Sequence, residues 1–220
     1  MERTDITPTL YNFLLATALP LKSIETKFAI DSSGFSTKNF GEYCNIKHKM
    51  NKQHSWIKAH ISVGVKTGII TSARITEENG ADSPQFIPLL EETKNNGFSV
   101  LEATGDKAYS SRDNVGYVDS IGGIAYIPFR QGSSGKPRGK SWVWRKMFHY
   151  FMMNREEFME HYHLRSNVES IFGAIKNKFG GSLKSRTVTA QTNELLLKLI
   201  CYNITVLIQQ MNELGINVSF

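Results

Sequence analysis

The chain has 220 residues, 40% of them hydrophobic and 21% charged, with thirteen Phe, which excludes a disordered chain and allows one sizeable core. The formal charge is +6, yet residues 130–186 hold twelve Lys or Arg against four Glu, and the remainder balances at −2. A basic region joined to a near-neutral one points to a polyanion partner, usually nucleic acid, or to a solubilising face.

Residues 9–18, "TLYNFLLATA", read as a short helix closed by Pro20. "KFAID" reads as an apolar strand running into the Gly- and Ser-rich loop "SSGFSTKNFGEY". "WIKAHISVGV", Lys66-Thr67-Gly68 and "IITSARIT" form a β-branched hairpin pattern with Gly at the turn. "DSPQFIPLLEETKNNG" is a helix with Asp82 as N-cap, Pro84 in the first turn and Gly97 at its close. "SVLEATGD" is a further strand, "SSRDNVGYVDSIGG" a short helix and "IAYIPF" another strand. After the loop "QGSSGKPRGKS", residues 142–181 read as helical for most of their length, and a last helix covers roughly 190–214. This order predicts an α/β fold, a mixed β-sheet flanked by α-helices.

Cys44 and Cys201 are far apart and outside any CxxC pair, so neither a disulfide framework nor a zinc knuckle is expected, and a cytoplasmic setting fits. The stretch "LLLKLICYNITVLI" is too polar to span a bilayer and suits a core helix, and acids in "MERTDITPTLYNF" argue against an export signal.

Two acids follow apolar strands, Asp31 after "FAI" and Asp106 after "LEATG". Sites in α/β sheets form where strands give way to loops. If the two strands are neighbours their carboxylates converge, and a cation between them resolves the repulsion. A third acid from a helix would complete a site for two ions, with Glu169 the natural candidate. An Asp in such a place is also a common turn-former or helix cap.

Glu169 belongs to a stripe. Tyr162, Arg165, Glu169 and Lys176 lie at offsets that fall within an arc of about 60° on one helix face. The stripe suits a helix holding phosphates of a strand that passes an acidic centre. The alternative is an Arg165–Glu169 surface pair at i,i+4 spacing, with Tyr162 packing.

The spacing Y-(2)-R-(3)-E-(6)-K resembles the signature of the insertion sequence 4 family of bacterial transposases. "AIDSSGF" and "TGDKAYSS" resemble the first and second Asp segments of the broader DDE group, with Ala108 where Gly is usual. The resemblance covers about residues 27–210. It implies an RNase H-like fold and a catalytic triad of Asp31, Asp106 and Glu169 holding two Mg²⁺ or Mn²⁺ ions. It further implies hydrolysis at transposon ends, then attack of the freed 3′-hydroxyl on target DNA. Arg165 and Lys176 would hold phosphates, and Tyr162 would donate to a phosphate or cover a sugar. The partners implied are terminal inverted repeats and target DNA, without a membrane, with a homodimer in the synaptic complex by analogy.

Residues 1–26 are expected to be a short helical segment, a remnant or linker. Residues 27–214 would be the catalytic domain, with a basic insertion around 131–160, and residues 215–220 a tail. Lys136, Arg138, Lys140, Arg145 and Lys146 would bind the DNA backbone without reading sequence. Trp142 and Trp144 read as core aromatics, although related transposases stack an aromatic from this interval on a flipped base. His48, Lys49 and Lys52 suggest a basic loop, while His60 should be half-buried in a strand. The spacings of His48, His54, His60, His161 and His163 match no familiar zinc site. Two rivals stay open: an RNase H-like nuclease or resolvase without strand transfer, and an inactive DNA-binding relic.

Overall fold

The computed structural model describes residues 1–37, 56–136 and 142–215. The central strand β1 (Lys27–Thr37) alternates two apolar sets: Phe28 and Ile30 enter one core cluster, Ala29 and Phe35 the other. A strand buried on both faces needs cover on each, and helices supply it.

The expected hairpin is present as β2 (Trp56–Gly64) and β3 (Ile70–Glu77), paired antiparallel with each other, and β2 with β1. Gly68 takes φ 79° in its turn, where a side chain would be strained. Glu25, buried beneath, accepts from the amides of Lys66 and Thr67, so its charge is satisfied by the turn itself. On the other flank, β4 (Glu102–Gly105) and β5 (Ile124–Tyr126) run parallel to β1. The order is β3-β2-β1-β4-β5, with the two-residue β6 (Ser182–Leu183) pairing further along β1.

One face carries α2 (Ser83–Asn95) and α3 (Arg112–Ser120), with α4 (Trp142–Met153) and α5 (Arg155–His163) closing the same cluster through Trp144, Met147 and Phe158. The other carries α1 (Ile6–Ala18), α6 (Ser166–Phe179) and α7 (Val188–Leu214). Buried Asn203 of α7 accepts from the Ile70 amide and donates to the Ile70 carbonyl and to Thr17, joining α7, the edge strand and α1. This is the mixed sheet flanked by helices expected of an RNase H-like fold. Among the described residues no helix is long and apolar enough to cross a membrane.

Four local expectations change. Asp31 does not end its strand, because β1 continues through the Ser and Gly residues read as loop, where β2 still pairs with it. The first helix ends at Ala18 as expected, with Pro20 in a short 3₁₀ turn over Leu19–Leu21, but it begins earlier, at Ile6. Asp82 precedes α2 but its side chain does not cap it. The long helical stretch breaks at Asn154 and again at Leu164–Arg165, where i→i+3 bonds replace the α-helical pattern. Cys44, His48, Lys49, Lys52, His54, Arg138 and Lys140 lie outside the described residues.

Candidate active site

The flank of β1 facing β4 changes partner along its length. Pairing with β4 runs to Ile30↔Gly105, and pairing with β6 begins at Ser36↔Ser182. Asp31 is the first residue beyond the β4 register, and Asp106 the first beyond β4, so the parallel ladder sets the two acids side by side. Strands parting in this way open a cleft at their carboxyl ends. The acids reach it by different routes, Asp31 from mid-strand and Asp106 from the start of a 3₁₀ turn.

Each acid is partly held by local backbone. Asp31 Oδ1 accepts from the Ser32 amide at 2.9 Å, and Asp106 Oδ1 from the Ala108 amide at 2.7 Å. Burial raises the pKa of Asp31 and Asp106 adds to the rise; the Ser32 amide and Arg165 pull the other way. Asp31 thus carries its charge reluctantly, as expected of a carboxylate beside another in a half-dry cleft.

The break between α5 and α6 delivers Arg165 into this cleft. Its Nη2 donates to Asp31 Oδ2 at 3.1 Å and to Glu169 Oε1 at 2.8 Å. One nitrogen touching both keeps those two oxygens within about 6 Å of each other. Asp31 and Arg165 are mostly buried, at 14% and 18% side-chain exposure, while Glu169 is 58% exposed at the mouth. Burial opposes the Arg165 charge but is outweighed by Asp31, Tyr162, Glu169 and Asp106, which together raise its pKa. One guanidinium therefore joins Asp31 to Glu169, and Asp106 adds to the field around it.

A model of the family described as Transposase DDE domain matches residues 22–204. The chain belongs to that family. Its fold is also similar to that of a piggyBac transposase, solved by cryo-electron microscopy as a synaptic complex with hairpin DNA. The TM-score is 0.53 at 10% identity, over all of this chain and 57% of that one. At that identity the likeness concerns the fold, and this transposase domain spans little more than half the length of the piggyBac chain.

In this DDE domain the donor set suits a hard divalent cation: carboxylate oxygens, partly exposed, around a place where positive charge already sits. As the side chains stand, no three Asp, Glu, His or Cys among the described residues are close enough to hold a metal ion. The Arg165 guanidinium lies between Asp31 and Glu169, where it supplies the positive charge.

The four-residue stripe is divided. Tyr162 lies in α5 with its ring against the first core cluster, Arg165 in the break, and Glu169 and Lys176 on α6. The Arg165–Glu169 pair and the packed Tyr162 expected of a plain surface helix both occur, but Arg165 also reaches across to β1. Lys176 Nζ donates to Ser33 Oγ at 2.7 Å and lies 5.2 Å from the centre of the Phe35 ring. Burial lowers its pKa.

Lys136, Arg145 and Lys146 are exposed. Trp144 is buried against Phe129, but Trp142 is 68% exposed with Arg145 over its ring, contrary to the core role expected of both. His60 is fully buried rather than half-buried, and burial lowers its pKa to about 4. His161 stacks on Tyr126 and bonds Glu102. Reading by spacing missed Arg130, which follows β5 and donates to the carbonyls of Lys107 and Ala108, bracing the turn after Asp106. Its signal was a cation just past the third parallel strand.

Proposed function

We propose that residues 27–214 form the catalytic domain of a transposase of the insertion sequence 4 type, cutting DNA at terminal inverted repeats and joining the freed ends to target DNA. The observation that carries this is that Asp31 and Glu169 share the Arg165 guanidinium at the parting of β1 and β4, where Asp106 follows β4 in register with Asp31. Asp31, Asp106 and Glu169 would hold two Mg²⁺ or Mn²⁺ ions, which supply the positive charge that makes water or a 3′-hydroxyl a competent nucleophile at phosphorus.

The remaining work falls to the chain's own side chains. Arg165, in the break before α6, and Lys176, on α6, lie on either side of Glu169 in the chain and would offer cations to phosphates of one strand. Ser33 fixes the Lys176 ammonium beside the acids. Arg130 holds the Asp106 turn, so that this carboxylate stays in register with Asp31. Tyr162 would add a hydroxyl to the phosphate contacts, Lys136, Arg138, Lys140, Arg145 and Lys146 would bind backbone without reading sequence, and exposed Trp142 offers a face for a base. Two copies acting on paired ends, in the cytoplasm, complete the reading.

The test uses purified protein, Mg²⁺ and DNA bearing the inverted repeats that flank its own reading frame. End-specific nicking followed by joining is the expected result. Nicking indifferent to sequence would make it a nuclease or resolvase, and DNA binding without metal-dependent cleavage would make it a relic.

A further inference from the structure

We propose that Arg165 is an exchangeable internal counter-ion, whose transfer from the acids to a DNA phosphate couples metal binding to DNA binding. This rests on the acidic cleft being the metal site proposed above, and concerns how that site is regulated.

The way Arg165 is held carries the inference. A guanidinium has five N–H donors in a planar fork, and its strong pairings use two of them in parallel against one carboxylate. Here Nη2 alone serves both Asp31 and Glu169, and Nε is buried with no acceptor. A buried donor without a partner is a standing penalty that a better anion would remove. Arg165 is therefore kept in place by the charge of the cleft more than by directed bonds. A DNA phosphodiester, with two charged non-bridging oxygens on one phosphorus, offers the fork the paired acceptor that two separate carboxylates do not.

The position permits the exchange. Arg165 is in neither helix, at the break between His163 and Ser166, so its long side chain can turn outward by rotamer changes without displacing α6. Glu169, its exposed partner, lies at the mouth through which DNA would approach.

Competition follows. While the guanidinium occupies the space between Asp31 and Glu169, a dication finds those oxygens engaged and the cleft's negative charge reduced by one. Once a phosphate takes Arg165, Asp31 is left between Glu169 and Asp106 with no counter-charge, which a cation would supply. DNA thus creates the demand for metal, and metal frees the arginine for DNA. By linkage each raises the other's affinity by the same factor. The metal-free, DNA-free domain is partly neutralised by its own arginine and so holds stray divalent ions less well.

The experiment measures Mn²⁺ affinity by electron paramagnetic resonance of the free ion, on the whole chain, with and without a short duplex of arbitrary sequence at low salt. For the wild type, DNA should tighten Mn²⁺ binding about tenfold. Arg165→Gln should bind Mn²⁺ about tenfold more tightly without DNA, and DNA should then add little. Arg165→Lys keeps the charge and should stay near the wild type in the absence of DNA, and it serves as the check if the Gln variant folds poorly. Unchanged or weaker Mn²⁺ binding in Arg165→Gln, with the DNA effect intact, overturns the exchange while leaving the metal site standing. Mn²⁺ binding that survives Asp31→Asn combined with Asp106→Asn, or is absent from every form even with DNA, overturns the metal-site reading itself and the exchange with it.

Discussion

The two faces of β1 handle charge in opposite ways within two residues of each other. Toward α6, Asp31 shares a single Arg165 nitrogen with Glu169 while Asp106 stands alongside Asp31, so one guanidinium serves two carboxylates, with Lys176 anchored on Ser33. Toward α2, Ser32 and Lys58 both donate to Asp82 Oδ1 at 2.7 Å, and neutral His60 fits between Asp82 and Thr76. One acid there meets one cation and a hydroxyl, and the cluster is balanced. The first face is short of positive charge; the second pairs its acid with a cation. A strand can thus carry a reactive carboxylate when its neighbour, pointing the other way, pins the backbone that aims it.

The largest effects should come from the unbalanced face, and should fall on chemistry rather than stability. Asp31→Asn or Asp106→Asn should reduce Mg²⁺-dependent DNA cleavage by at least about 10³-fold. Because burial raises the Asp31 pKa, its charge costs stability at neutral pH, so Asp31→Asn should leave the thermal midpoint level or higher. A substantially lower midpoint would mean that Asp31 belongs to the frame, and the contrast between the faces would fail.

The balanced face should show the converse, stability without chemistry. His60 has a folded pKa of about 4, below its ordinary value of about 6.5. Between those values the unfolded chain takes up a proton that the folded chain refuses. Its contribution is therefore complete above about pH 6.5 and is lost as pH falls toward 4, by about 3 kcal/mol at 1.4 kcal/mol per unit. Denaturant unfolding across this window should show that slope in the wild type and a flatter one in His60→Gln. Equal slopes in the two proteins would locate the acid sensitivity elsewhere.

The order of strands, the hairpin and the flanking helices were legible because alternation, β-branching and turn residues are local signals. Of the candidate site, the residue types and their spacing were legible; that Asp31 and Glu169 share one guanidinium was not. What the sequence withheld was long-range. Continuation of β1 through "SSGFST" depends on β2 lying alongside, and Gly and Ser carry no strand preference of their own. The break at Leu164–Arg165 has no Pro or Gly to announce it, yet it turns a helix-face arginine into one that spans to the sheet. Asp82 looked like a helix cap because only tertiary contact could reveal Ser32 and Lys58 as its partners.

Lys176 offers the smallest effect and the finest test of the contrast, because it sits on the unbalanced face yet is tied by a hydrogen bond. If it is part of the frame, removing it should lower stability and leave DNA binding alone. Its surroundings argue the other way. Burial lowers its pKa, so holding the ammonium there is unfavourable to the fold, and its one hydrogen bond goes to an equally polar Ser33 that water could serve. Such a charge persists most simply where an anion is meant to meet it. Lys176→Gln should weaken duplex binding about threefold to tenfold near physiological salt and reduce the slope of log affinity against log salt by about 0.9, the contribution of one phosphate. The thermal midpoint should hardly move. Ser33→Ala, which frees the ammonium without removing it, should keep the salt slope and cost less affinity than Lys176→Gln. A drop in midpoint with an unchanged slope would assign Lys176 to the frame and shrink the unbalanced face to the acids and Arg165.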